Sequence, residues 1–162
     1  MNKKEFTERI TVIKKQLYNT AFLYLGNEQD SMEIVDESIF KAYKSLKTLN
    51  HPEYFNTWVI RILINECKQE FKRQKRIKLD ENIEFTANEN IEDFNYDSLP
   101  LKEAVNKLPY DLKSIIILRY FIGFTLHETA QTLNIPQGTV VTKQRKALKF
   151  LRIDLIEEES NE

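Results

Sequence analysis

Residues 126–152, LHETAQTLNIPQGTVVTKQRKALKFLR, decide how the C-terminal half of this chain folds and what it can touch. Leu126, Ala130 and Leu133 recur at steps of three and four, which predicts a helix from Leu126 to about Leu133. Asn134-Ile135-Pro136 breaks it, and Pro136 suits the start of a second helix from about Gln137, where its missing N–H is not needed. Small Ala130 lets the two helices cross closely, while Ile135 and Val140 pin the turn to a core. The second helix carries Lys143, Arg145, Lys146, Lys149 and Arg152. A short helix, a tight turn and a cationic helix form the arrangement that sets side chains into a DNA major groove.

Immediately upstream, DLKSIIILRYFIG predicts a strongly apolar helix ended by Gly123. Before that, Leu101, Ala104, Val105 and Leu108 mark a helix that starts after Pro100 and stops at Pro109. These elements predict a four-helix C-terminal domain at 101–156, with an acidic tail at 157–162. Residues 79–100, LDENIEFTANENIEDFNYDSLP, show no helical period and are rich in Asn and acids, so they are expected to be a flexible linker.

Residues 1–78 predict a second helical domain. Phe6, Ile10, Ile13, Leu17, Ala21 and Tyr24 lie at helical spacing, and Gly26-Asn27 ends that helix. DSMEIVDESIFKAYKSL predicts the next, capped by Asp30 or Ser31, with Ile34, Ile39, Ala42, Tyr43 and Leu46 as its buried stripe. After His51-Pro52 a long helix is expected from about Phe55 to Lys75, with Trp58, Ile62, Leu63 and Cys67 facing inwards. The fold class is therefore all-α, in two small domains; only 3 Gly and 4 Pro in 162 residues argue against a sheet with many tight turns.

The net charge of −1 conceals a segregation that bears on partners. Residues 1–79 hold 15 basic and 10 acidic side chains, residues 80–100 hold 7 acidic and none basic, and residues 101–162 hold 9 and 8. Two basic units separated by an acidic segment can bind phosphates locally in a near-neutral protein. With one cysteine, Cys67, and two histidines, neither a disulfide nor a metal site has its ligands, so no cofactor or metal is expected. The best catalytic candidates, Glu33, Asp36 and Glu37 or His127-Glu128, read as helix-start acids and a surface pair. The chain is read as a non-enzyme with no small-molecule substrate. No apolar run approaches the roughly 20 residues of a membrane span, and MNKKEFTERI lacks a signal-peptide core, which predicts a cytoplasmic location.

DSMEIVDESIFKAYKSL, YFNTWVIRILINECKQEFKR and NKLPYDLKSIIILRYFIGFTLHETAQTLNIPQGTVVTKQRKALKFLR, in that order, resemble regions two and four of the group 4, or extracytoplasmic-function, sigma factors of bacterial RNA polymerase. The resemblance implies a subunit that binds core RNA polymerase, recognises the −10 and −35 elements of promoter DNA and directs transcription initiation. It also implies an envelope or extracellular stress response controlled by an anti-sigma factor, often membrane-bound in this family. Carried over by position, it implies a polymerase-docking face of Asp36, Glu37, Phe40 and Lys41. It implies −10 contacts from Asn50, His51, Tyr54, Asn56 and Asn65, where the family captures a flipped base, with Lys68, Lys72, Arg73 and Arg76 on phosphates. On its residues alone, the same loop also reads as a His51-Pro52 turn with Tyr54-Phe55 stapling the helix start, and Trp58 reads as core. For the −35 element it implies Arg119, Val141, Thr142, Arg145 and Lys146, to which the cationic helix adds Lys143 and Lys149. Val141 and Gln144 depart from the family, which commonly has a basic and an inward aliphatic residue there. A stand-alone helix-turn-helix regulator explains the C-terminal half equally, but not the pattern around Asp36 and Trp58.

Overall fold

The computed structural model describes residues 1–81 and 99–160, whose chain falls into two compact units divided between Glu92 and Asp93. Every described element is helical. In the N-terminal unit α1 spans Lys3–Leu25, α2 Glu28–Lys44 and α3 Phe55–Glu81, and each packs against the other two. Two single 3-10 turns, Leu46–Thr48 and Pro52–Tyr54, make the connection from α2 to α3.

All six residues of the expected α1 stripe, Phe6, Ile10, Ile13, Leu17, Ala21 and Tyr24, are buried. Burial of the large apolar ones contributes about 2 kcal/mol each, which outweighs the about 1 kcal/mol of a cap such as Asn2, whose side chain accepts the Glu5 N–H. Gly26 ends the helix at φ +67°, a left-handed conformation in which a Cβ is strained.

Helix α2 differs from expectation. Its cap is Asn27, three residues before Asp30, and Asn27 accepts the Asp30 N–H at 2.9 Å. Its buried stripe is Ser31, Val35, Ser38 and Ala42; Ile34, Ile39 and Leu46 are half-buried and Tyr43 is exposed, leaning on Phe6 at 5.4 Å between ring centroids. The reason is steric. Small residues let α2 lie close against α1 and α3, and the two serine hydroxyls donate to Asn27 and Ile34 carbonyls at 2.6 Å, so burial leaves them satisfied. In α3, Leu63 and Cys67 are buried as expected, together with Phe55, Val59, Ile60 and Ile64, whereas Trp58 and Ile62 are half-buried.

The C-terminal unit comprises α4 (Leu99–Lys107), α5 (Tyr110–Ile116) continuing into π-helical turns at Ile117–Ile122, α6 (Leu126–Leu133) and α7 (Gln137–Ser160). The α4, α5 and α6 helices each pack on α7, and Ala104, Val105, Leu108, Leu112, Ile116, Ala147 and Leu151 form one apolar cluster. Lys113 is buried on α5, and burial pulls its pKa below the usual lysine value. The segment expected to be linker is helical at both ends, to Glu81 and from Leu99, while 82–98 lies outside the described residues. Helix α7 runs past the expected domain end at 156 to Ser160.

Candidate nucleic-acid interface

The helix-turn-helix forms where the spacing predicted it, at Leu126–Leu133 and from Gln137. Thr125 and Glu128 close a capping box: the Glu128 N–H donates to the Thr125 hydroxyl at 3.1 Å and the Thr125 N–H to the Glu128 carboxylate at 2.8 Å. Asn134 ends α6 at φ +55°, a left-handed position that Asn tolerates better than most residues. The Pro136 carbonyl then accepts the Thr139 and Val140 N–H groups and starts α7. Ile115, Ala130 and Val140 form the crossing, with Leu126, Leu133 and Ile135 packed around them.

The inner stripe of α7 runs Val140, Gln144, Ala147, Leu151, and all but Gln144 are buried apolar residues. Gln144 is half-buried, and its Oε1 accepts from Arg119 Nε at 2.9 Å. A second arm of that guanidinium donates to the Phe124 carbonyl at 2.6 Å. The polar residue in an apolar stripe is thereby satisfied, and the departure at Gln144 has its partner on the π-helical turn. One position earlier, Lys143 Nζ reaches Asp111 Oδ2 on α5 at 3.1 Å. Two adjacent polar ties therefore add to the apolar packing of Val140, Ala147 and Leu151 that sets the roll of α7. They leave Thr142, Arg145, Lys146 and Lys149 exposed, with Val141 half-buried at the edge. Arg119 and Lys143 are both half-buried and engaged inside the unit, which sets them apart from those outward tips.

In the N-terminal unit, Asp36, Glu37, Phe40 and Lys41 all lie on the exposed side of α2. Phe40 is 55% exposed, with the Lys44 ammonium 5.0 Å above its ring, and Met32 and Asp36 precede it at intervals of four. Lys41 differs from its neighbours. Its ammonium lies 2.7 Å from Glu66 on α3 and 3.8 Å from Glu37, and the Glu66 hydrogen bond raises its pKa. It joins α2 to α3 and its charge is already matched.

Asn50, His51 and Tyr54 are exposed on the connection before α3. The His51 and Tyr54 rings meet edge to face at 6.0 Å, and His51 Nδ1 lies 3.3 Å from Glu53, an ion pair only when the ring is protonated. On α3, Asn65, Lys68, Lys72 and Arg76 form one exposed stripe at steps of three and four, and Trp58 and Arg61 continue it towards the loop. Arg61 was passed over in the sequence; its position four residues before Asn65 is the signal that finds it. Two expected contacts fall off this stripe. Asn56 is exposed but sits two residues before Trp58, roughly 200° round the axis. Arg73 is bound to Glu70 by Nε at 2.9 Å and by a terminal nitrogen at 2.6 Å, which lowers the Glu70 pKa.

Other candidate chemistry stays apart from these faces. His127 Nδ1 is 3.1 Å from the Gln137 amide, between the starts of α6 and α7. Burial pushes the Cys67 thiol pKa well up, which disfavours the reactive thiolate. Among the described residues no three His, Cys, Asp or Glu side chains gather as a metal site, and no helix is long and apolar enough to cross a membrane.

Two all-helical units, one built around a helix-turn-helix with a cationic outer face, define a DNA-binding class of fold. Residues 10–77 match the family Sigma-70 region 2, and residues 104–152 match Sigma-70, region 4. The chain is 38% identical to the RNA polymerase sigma factor SigV of Bacillus subtilis (strain 168), over 98% of this chain and 99% of that one. It is 26% identical to the ECF RNA polymerase sigma factor SigW of the same strain, over 93% and 88%. Its fold is similar to that of the sigma factor RpoE solved with the anti-sigma factor NepR from Bartonella quintana, with a TM-score of 0.80, 22% identity and 94% and 97% of the two chains covered. CnrH, solved with the cytosolic domain of CnrY, gives a TM-score of 0.72 at 19% identity, over 96% and 90%. The chain belongs to the sigma-70 family, in its extracytoplasmic-function group.

Proposed function

We propose that this chain binds core RNA polymerase and directs it to promoters, reading the −10 element with its N-terminal unit and the −35 element with its C-terminal unit. The observation that carries this reading is the pair of separate basic readers on one chain: the α3 stripe Arg61, Asn65, Lys68, Lys72, Arg76, and the α7 face Thr142, Arg145, Lys146, Lys149. Lysines and arginines on such faces supply salt-dependent affinity. Arg145 has the donors that distinguish base edges, and Thr142, whose hydroxyl donates to the Gly138 carbonyl at 3.0 Å, has the methyl group. Val141 borders that face, and Arg119 and Lys143 orient it. Asn50, His51 and Tyr54 lie where an unstacked base would be received, with Asn56 beside them. Asp36, Glu37 and Phe40 form the polymerase-docking face, with Lys41 holding α2 to α3 beneath it.

The protein acts in the cytoplasm, without catalysis of its own, in a stress response controlled by an anti-sigma factor. The structural relatives solved with anti-sigma partners support that control. The two domains are taken as residues 1–81 and 99–160, joined by the acidic segment. The test is transcription with purified core polymerase over a promoter library. Promoter-specific transcripts that require this protein are expected. Tight sequence-specific binding by the free protein as a dimer, with no effect on polymerase, would sink the proposal in favour of a stand-alone regulator.

A further inference from the structure

We infer that Arg9 is a positioning residue for −10 recognition: it fixes the loop before α3 in the shape that receives an unstacked base, an inference that rests on the role proposed for that loop. Arg9 lies on α1, and it is the lone arginine before Arg61. One arm of its guanidinium donates to the Pro52 carbonyl at 2.7 Å, 43 residues away. The other binds Glu5, one turn earlier on α1, at 2.9 Å. Its carbon lies 5.6 Å from the centroid of the Phe55 ring. Phe55 is 1% exposed at the start of α3 and meets Phe6 edge to face at 5.8 Å. Arg9 is thus seated on a fixed aromatic floor and held by a carboxylate before it reaches the loop.

The loop needs such a tie. Its own hydrogen bonds are local: Leu49 N–H to Leu46, Tyr54 N–H to His51, and Phe55 N–H to the same Pro52 carbonyl that Arg9 binds. Asn50, His51, Pro52, Glu53 and Tyr54 are all exposed, so burial does little to hold them. A pocket that forms only when the base arrives charges its ordering entropy against binding; a loop shaped in advance avoids that cost. The planar fork of arginine suits the task, because two acceptors in different directions and a ring face are engaged at once; a lysine ammonium cannot stack in that way.

The test uses the full chain with core polymerase on a promoter carrying 2-aminopurine at the −10 base expected to flip, together with promoters varied at that base. Arg9→Met should lower open-complex formation about ten-fold, the value of one charge-assisted hydrogen bond, and reduce discrimination among bases at that position. Core polymerase affinity and −35 dependence should stay within about two-fold of wild type. Arg9→Lys should recover part of the opening, and Glu5→Gln should cause a smaller loss than Arg9→Met. Unchanged opening and discrimination in Arg9→Met would overturn the inference. So would an equal fall in opening, core binding and thermal stability in both Arg9 variants, since that describes a fold contact only. If wild-type protein itself gives no −10-dependent opening, it is the role of the loop that fails.

Discussion

The two units hold the readers proposed for them in different ways. In the C-terminal unit the proposed reader is one face of a helix whose roll is set by its buried apolar stripe and supported by two side-chain ties at adjacent positions, Lys143–Asp111 and Gln144–Arg119. In the N-terminal unit a helix stripe runs up to an exposed loop, and the tie comes from α1, far away in sequence. On the roles proposed above, the contrast fits the two targets. A duplex presents its base edges in a groove and is met by a rigid rod, whereas an unstacked base must be received by a pocket. A rod carries its rigidity with it; a loop has to borrow rigidity from neighbouring elements.

The comparison is broken most severely at α7. Arg145→Ala with Lys146→Ala should lower −35-dependent transcription about 100-fold, two contacts of roughly ten-fold each, with core polymerase binding intact. Loss of core binding in that variant would show the division of roles to be wrong. Charge reversal at Asp36 and Glu37 to lysine should do the opposite, weakening core polymerase affinity about ten-fold or more while the isolated protein keeps its α-helical circular dichroism.

A finer test concerns the roll of α7. Gln144→Leu restores an apolar stripe and removes the acceptor of Arg119, so thermal stability should hold or rise. Discrimination at −35 should nevertheless fall about five-fold, the net worth of one hydrogen bond. Adding Arg119→Ala to that variant should change little more, because the two positions act as a pair. Additive losses would mean that Arg119 contacts DNA independently.

The smallest effect is on pH dependence. Partial burial pushes the Asp111 pKa up, but the Lys143 hydrogen bond and charge, with backbone N–H bonds, outweigh it and hold the carboxyl below its usual value. A lowered folded-state pKa stabilises the fold above the ordinary aspartate value of about 3.9, and that contribution is lost as pH falls through the lower folded value. Wild type should therefore lose its small advantage over Asp111→Asn as unfolding is followed from about pH 5 down to pH 2. A gap that stays constant over that range would show that the tie does not titrate.

The helix-turn-helix was legible because its determinants are local: Ala130, Pro136 and Val140 lie within eleven consecutive residues, and each had one role to fill. The α1 stripe was legible for the same reason. The α2 face was misjudged because hydrophobicity placed Ile39 and Tyr43 inwards, while close approach of the helices selected Ser31 and Ser38. Lys41, Arg73 and Arg119 were given outward roles by their position in the family pattern, and Lys143 by its place on a cationic helix. Their partners Glu66, Gln144 and Asp111 stand 25 or more positions away, and at that distance sequence spacing says nothing about meeting; Arg73–Glu70 was a local pair that went unread. Arg9 was missed altogether, since nothing in α1 marks the carbonyl it binds.

The π-helical turns at Ile117–Ile122 store phase. Over that stretch the chain carries more residues per turn than an α-helix, and Gly123 and Phe124 both return their N–H groups to the Leu118 carbonyl. Removing a single residue there would let the backbone close as ordinary α-helix, at little cost in hydrogen bonds. It would also turn everything on one side of the deletion by roughly 100° against the other. Arg119 would then no longer lie opposite Gln144, and the reader would lose its aim while keeping its fold. Such a turn is a place where length, rather than side-chain chemistry, sets what the recognition helix faces.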